Sequence, residues 1–254
     1  MKKLLGALLA LIVVLVLFVV IVAATLPAAT AYRYAEPRVQ PLRLQGIDGS
    51  LWAGRATQAS VYAVPLGELR WSLDPWAAVG LHARGEAALS GRALQASARF
   101  DATRDRLLVD TGNAKLPASV LTPALDIPSL VLLGDLDLDV DALELRAGML
   151  QTATGTLTWR HAGVSGAAEA RFSDIIVRFN SPRDGVIEGQ VSDGGGALSA
   201  TGRILIERER FNAEVKLGVR GDNPQLAEAL LYVGERTPDG GSLLRVEGTL
   251  RKLF

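Results

Sequence analysis

The chain has 254 residues, 27 Lys plus Arg against 27 Asp plus Glu, and no cysteine. Zero net charge leaves no basic stripe of the kind a nucleic-acid partner needs, and the missing thiols exclude disulfides, thiolate metal sites and a cysteine nucleophile. Glycine, at 26 of 254 residues, exceeds the usual ~7% and falls between short alternating runs, which is a β-rich pattern.

The first element is an uncharged run from Leu4 to Leu26, in which Leu4, Leu9, Val14, Phe18, Val22 and Leu26 are spaced along an apolar segment with 17 Leu, Ile, Val or Phe residues. At about 1.5 Å of rise per residue it spans roughly the ~30 Å of a bilayer core. Lys2 and Lys3 precede it and no acidic residue does, so the positive-inside bias places residues 1–3 in the cytoplasm and Tyr32 onward outside. Ala29-Thr30-Ala31 has the small-x-small form of a signal-peptidase site, yet the apolar run exceeds the ~7–15 residues of a signal peptide. The expectation is an uncleaved single-pass membrane anchor over 4–26, with the lipid bilayer as its partner.

Pro27, Pro37 and Pro41 follow, and because proline disfavours helix in the residue before it, 27–44 reads as an extended linker to a β-rich domain over 45–254. Gly49-Ser50-Leu51-Trp52-Ala53-Gly54, Ala59 to Val64 and Leu66 to Leu73 read as strands, the last ended by Pro75. Trp52, Trp71 and Trp76 are read as filling the start of a core, with a sugar or lipid platform as the alternative. Leu81 to Phe100 reads as two strands around Ser90-Gly91-Arg92, one face of the second being wet. Leu107 to Val109 follows, and Leu116 to Leu121 reads as a short helix.

Asp135, Asp137, Asp139 and Asp141 alternate with Leu136, Leu138 and Val140. An EF-hand loop would need glycine where Val140 stands. Strict alternation gives a half-buried strand instead, its carboxylates offset by Lys and Arg on neighbouring strands. No metal or cofactor is expected. Gly155-Thr156-Leu157-Thr158-Trp159 echoes Gly49-Ser50-Leu51-Trp52, which suggests an internal repeat over 45–150 and 151–254. Asn180 to Gly185 and Asp193-Gly194-Gly195-Gly196 read as turns. Alternation is clearest in the faces of Leu198 to Ile206, Phe211 to Val219 and Leu244 to Leu250. A short helix starts at Asn223-Pro224 and runs through Leu226, Leu230 and Val233 to Gly234. Asp239-Gly240-Gly241 turns the chain into a final strand from Leu243 to Leu250. That strand is a candidate sheet edge, with Arg245, Glu247 and Thr249 on its exposed face as candidate interface residues.

Catalytic constellations are thin. His82 and His161 are the only histidines, Gly163 to Ala167 lacks the last glycine of a G-x-S-x-G elbow, and Gly194 to Gly196 opens a strand rather than a phosphate-binding helix. The expectation is a non-enzyme.

With these residues assembled, the chain resembles the type II secretion system protein N family, the general secretion pathway N subunit. The resemblance rests on the anchor followed by Gly49, Trp52 and Gly54, then Trp71 and Pro75, Gly155 and Trp159, Gly194, Gly240 and Gly248. It implies a bitopic inner-membrane protein that assists export of folded proteins and partners other inner-membrane and periplasmic secretion components. The family is itself similar to AsmA-like proteins, which implies a large antiparallel, strongly twisted or curled, trough-like sheet with one or two short helices. That likeness also opens the alternative of an acyl chain or glycolipid as ligand. An apolar concave face and an apolar core read alike in sequence, so the faces of Leu198, Phe211 and Leu244 either close on each other or line a groove.

Overall fold

The structure is a computed structural model that describes residues 25–61, 64–120, 131–166, 170–208, 210–230 and 234–249. The anchor positions Leu4, Leu9, Val14, Phe18 and Val22 lie outside the described residues. Among those described, no helix is long and apolar enough to cross a membrane.

Helix α1 (Ala28–Val39) is followed by β1 (Leu42–Gly49), β2 (Ala53–Val61), β3 (Val64–Leu73), a 3-10 turn (Ala77–Gly80), β4 (Ala83–Ser90) and β5 (Gln95–Ala102). Then come β6 (Arg106–Pro117), β7 (Val131–Arg146), β8 (Met149–Ser165), β9 (Ala170–Arg171), β10 (Ile175–Arg183), β11 (Val186–Asp193) and β12 (Leu198–Glu207). β13 (Arg210–Val219), α2 (Pro224–Leu230), β14 (Glu235–Arg236) and β15 (Ser242–Thr249) complete the described chain. The strands form one antiparallel sheet whose order follows the sequence, except that β9 pairs with β8 off the path and β14 lies outside β15. The two ends of this meander do not pair with each other, so the sheet is not closed.

Alternating sequence sets two unlike faces, because successive side chains of a strand point to opposite sides. On one face a single row crosses twelve strands: Gly54, Trp71, Ala87, Ala98, Gly112, Val140, Gly155, Phe179, Gly189, Ile204, Ala213 and Val246. Large residues lean across small ones. A Cβ on Gly54 would lie 2.5 Å from the Trp71 ring, one on Gly155 2.8 Å from Phe179, and one on Gly248 2.5 Å from Phe211. Three of the motif glycines, Gly54, Gly155 and Gly248, therefore leave room for a cross-strand aromatic ring. The opposite face carries cross-strand ion pairs such as Arg99–Glu86 at 2.7 Å and Arg106–Glu144 at 2.8 Å; exposed pairs of this kind contribute about 0–1 kcal/mol each.

Several sequence expectations change. The stretch after Pro27 is α1 and not extended linker. Pro27 occupies the N-cap with φ −64°, where a missing N–H costs nothing, and Pro37 sits near the helix C-terminus. β1 starts at Leu42, so the first strand lies partly inside the expected linker, and Gly49 to Gly54 forms the turn into β2 rather than a strand. Trp76 is no part of the core, being 83% exposed. The expected helix at Leu116 is the end of β6 followed by one 3-10 turn over 118–120; the continuation lies outside the described residues. The echoing stretches also sit in unlike places, Gly49 to Trp52 at a turn and Gly155 to Trp159 in the middle of β8.

Asp137 departs from the expected solvated face. Its residue is only 6% exposed, beneath Lys115 at 3.7 Å and an ion pair with Arg160 from β8. Asp135, Asp139 and Asp141 remain exposed.

Gly155→Ala should be destabilising, because the added Cβ would also lie 2.2 Å from the Asp139 carbonyl oxygen and backbone cannot yield as a side chain does. The expected loss is about 1–3 kcal/mol, read from the denaturant midpoint. Gly218→Ala, whose Cβ meets nothing closer than 3.9 Å, should stay within about 0.5 kcal/mol of the parent.

Candidate docking surfaces

An unclosed sheet has two edges, and this one treats them differently. At the β1 edge, α1 runs alongside the strand and inserts a phenol into the backbone pattern. The Leu44 N–H donates to the Tyr32 hydroxyl at 3.0 Å, and that hydroxyl donates to the Leu42 carbonyl at 3.4 Å. Pro27 bridges to Ser50, and the Leu51 N–H donates to the Leu26 carbonyl at 2.8 Å. Leu26, the last residue of the expected anchor, thus lies against the β1–β2 turn. Tyr32 was not singled out by sequence reasoning; Leu42, Leu44 and Ile47 gave the nearest signal that an edge strand begins here.

At the far end, β14 covers only Ser242 and Leu243 of β15. Among the described residues nothing pairs with the outer side of Leu244–Thr249, while the inner side is paired throughout with β13. Arg245, Glu247 and Thr249 are exposed as expected, and Leu244 and Val246 are half-buried on the apolar face. Arg245 bonds Glu235 at 3.0 Å and lies 3.9 Å from Glu214, and Glu247 accepts from the Asn212 amide at 2.9 Å.

Helix α2 seals one end of the apolar face. Asn223 caps α2 through a 3.0 Å bond from the Leu226 N–H, and Leu226 and Leu230 bury against Leu198, Ala200 and Leu217. Val233 lies outside the described residues. Next to this cluster Trp159 meets Phe172 edge-on at 6.2 Å and donates its indole N–H to the Leu133 carbonyl at 2.7 Å. A second buried cluster holds Ala118, Leu132 and Leu136. In the next cross-strand row Leu138, Leu157, Val177 and Leu244 are half-buried beside the buried Val191, and toward the other end Phe211 is half-buried while Ile187 is buried. Leu198 thus closes into a core, and Phe211 and Leu244 do not.

Asp193 fixes the sealed end. Its carboxylate pairs with Arg220 at 2.6 Å and accepts N–H bonds from Gly195 at 3.0 Å and Ala200 at 2.9 Å. It joins the Gly194 turn to the strand end before α2. The Arg220 guanidinium, helped by those backbone N–H groups, holds this carboxyl far below the usual carboxylate range.

The motif residues divide by place. Gly49, Trp52, Gly54, Trp71 and Pro75 gather around the β1–β2 turn, where the Trp71 indole donates to the Leu51 carbonyl at 3.0 Å. Gly155 and Trp159 lie in β8 and Gly248 in β15, while Gly194 and Gly240 occupy separate turns. Nothing in this arrangement assembles a nucleophile with a base. His82 faces Asp101 at 3.0 Å, and that carboxylate is also held by Arg84 at 2.7 Å. No group of three or more metal-ligating residues occurs among the described residues.

A family profile described as type II secretion system (T2SS), protein N, matches residues 40–245, which takes in the sheet from the approach to β1 as far as Arg245. The chain belongs to the type II secretion system protein N family. Neither curated proteins nor solved structures offer a match. This T2SS protein N chain thus carries two unlike sheet edges and an apolar face that α2 covers at one end.

Asp193→Asn should destabilise the sheet by about 1.5–3 kcal/mol at pH 7, the range for a hydrogen bond to a charged group. A carboxylate with a depressed folded-state pKa contributes fully above its unfolded value of about 3.9. The stability difference between parent and variant should therefore be constant from pH 7 to about 5 and shrink as pH falls below about 4, measured by urea unfolding.

Proposed function

We propose that this protein is an accessory, non-catalytic subunit of the type II secretion pathway. In this reading the Leu4–Leu26 run holds it in the inner membrane, with Met1 to Lys3 in the cytoplasm and the sheet in the periplasm. There it supports export of folded periplasmic proteins across the outer membrane by docking on other components of the pathway. Family membership and the two lysines before the apolar run support this placement. The observation that carries the docking role is the open outer side of β15, because unpaired N–H and C=O groups on a sheet edge accept a further strand.

A second reading follows from the other surface. The half-buried apolar positions beyond α2 favour a lipid-carrying role, in which an acyl chain or glycolipid lies along that face.

Photo-crosslinkers separate the two. At Arg245, Glu247 or Thr249 the docking role predicts capture of inner-membrane or periplasmic secretion proteins; at Leu244, Val246 or Val177 the lipid role predicts lipid adducts. Absence of both kinds of adduct, in cells whose secretion survives deletion of the protein, would remove support from both. A fluorescent protein that matures only in the cytoplasm, fused after Phe254, should stay dark; a bright fusion would contradict the periplasmic placement.

A further inference from the structure

The loop between β3 and β4 exposes three large apolar side chains on an ordered scaffold. Trp76 is 83% exposed, Val79 81% and Leu81 88%, and no charged residue interrupts the sequence from Pro75 to Leu81. Local bonds hold the projection in shape. Asp74 accepts from the Trp76 N–H at 2.9 Å, the Val79 N–H donates to the Trp76 carbonyl at 3.2 Å, and the His82 N–H donates to the Ala77 carbonyl at 3.2 Å. Leu81 has φ 60°, a left-handed conformation that a glycine would adopt with less strain. An ordered loop that keeps tryptophan, valine and leucine in water, one of them on a strained backbone, is unfavourable for an isolated domain unless another apolar phase covers it.

The position of the loop identifies that phase. Leu26, the last residue of the apolar run, bonds the β1–β2 turn through Leu51. That turn in turn bonds the end of β3, because the Leu73 N–H donates to the Trp52 carbonyl at 2.6 Å. β3 leads into the exposed loop two residues later. The chain thus leaves the apolar run at the same end of the sheet from which Trp76, Val79 and Leu81 project. A tryptophan flanked by aliphatic residues suits the boundary between headgroups and acyl chains, where its indole is partly wet.

We propose that the β3–β4 loop inserts Trp76, Val79 and Leu81 into the periplasmic leaflet of the bilayer that Leu4–Leu26 crosses. This rests on the anchored reading given above and goes beyond it. The membrane then holds the sheet at two points, and the strands β1 to β4 stand with their turn ends toward the lipid, with β2–β3 and β4–β5 connections pointing away. One anchor would leave the sheet free to swivel about Leu26; a second contact fixes its orientation and hence where the distant β15 edge is presented.

The full chain contains no cysteine, so single-cysteine variants carry an environment-sensitive nitrobenzoxadiazole label at one site each. Val79→Cys, Val14→Cys and Ala93→Cys are reconstituted in vesicles of phosphatidylethanolamine and phosphatidylglycerol containing lipids with a quenching nitroxide at shallow or deep acyl positions. The expected result is strong quenching at Val79 by the shallow nitroxide, deep quenching at Val14, and at Ala93, in the β4–β5 turn at the opposite sheet end, several-fold weaker quenching by either. Deep quenching at Val14 with no quenching at Val79 would overturn the loop insertion and leave the anchor intact. A blue-shifted but unquenched Val79 label would overturn it in favour of a protein surface covering the loop. Loss of quenching at Val14 would overturn the anchored reading, and the two-point attachment with it, whatever Val79 reports.

Discussion

Everything in this protein depends on how an antiparallel sheet that never closes satisfies its backbone. A barrel pairs its last strand with its first and has no edge. Here the ladder runs from β1 to β15 without returning, so two rows of N–H and C=O groups must be dealt with locally. One row receives a helix and a tyrosine hydroxyl; the other is blunted for two residues by β14 and then, among the described residues, left open. The edges are therefore chemically unlike, although both strands have ordinary alternating sequences.

The same topology makes the molecule nearly one-dimensional. Each strand packs mainly on the two strands beside it, and long-range closure supplies no common centre, so stability is built from neighbouring interfaces much as in a repeat protein. That accounts for the small number of fully buried residues and for where they sit. Two clusters of buried side chains form, one under Leu226 and Leu230 of α2 and one around Leu132 and Leu136, and the other buried residues, such as Ala56, Leu145 and Ile187, are spread along the sheet. Elsewhere Gly54, Gly155 and Gly248 leave room for Trp71, Phe179 and Phe211 across the strand, so that rings on one strand shield the backbone of the next. Asp193 with Arg220 has the corresponding task at the sealed end, tying a glycine-rich turn to the segment that launches the covering helix.

Much of this was legible in the sequence, for reasons that can be named. Period-two alternation from Leu198 to Thr249 reported β12, β13 and β15 because each has one wet face. Asn223-Pro224 reported α2 because capping is a local interaction. α1 was not legible: three prolines spoke against a helix, but Pro27 falls at the N-cap and Pro37 near the C-terminus, where proline does least harm. Nor was the fate of two residues of familiar type. Asp137 looks like its neighbours Asp135 and Asp139, and only the register that brings Lys115 and Arg160 over it accounts for its burial. Trp76 looks like Trp71, and only the 3-10 turn that follows it separates a projecting side chain from one lying on the sheet. The open edge at β15 was legible as a last strand, whereas the blocked edge at β1 required Tyr32 to be seen beside Leu42 and Leu44.

Hydrogen–deuterium exchange on the full chain in detergent, resolved to single amides, tests the unequal edges most directly. The account predicts a protected Leu44 amide, unprotected outward amides between Leu244 and Thr249 in the isolated protein, and loss of Leu44 protection alone in Tyr32→Phe. Equal, strong protection of both edges would show that the sheet closes on itself or pairs with a second copy, and would contradict the account.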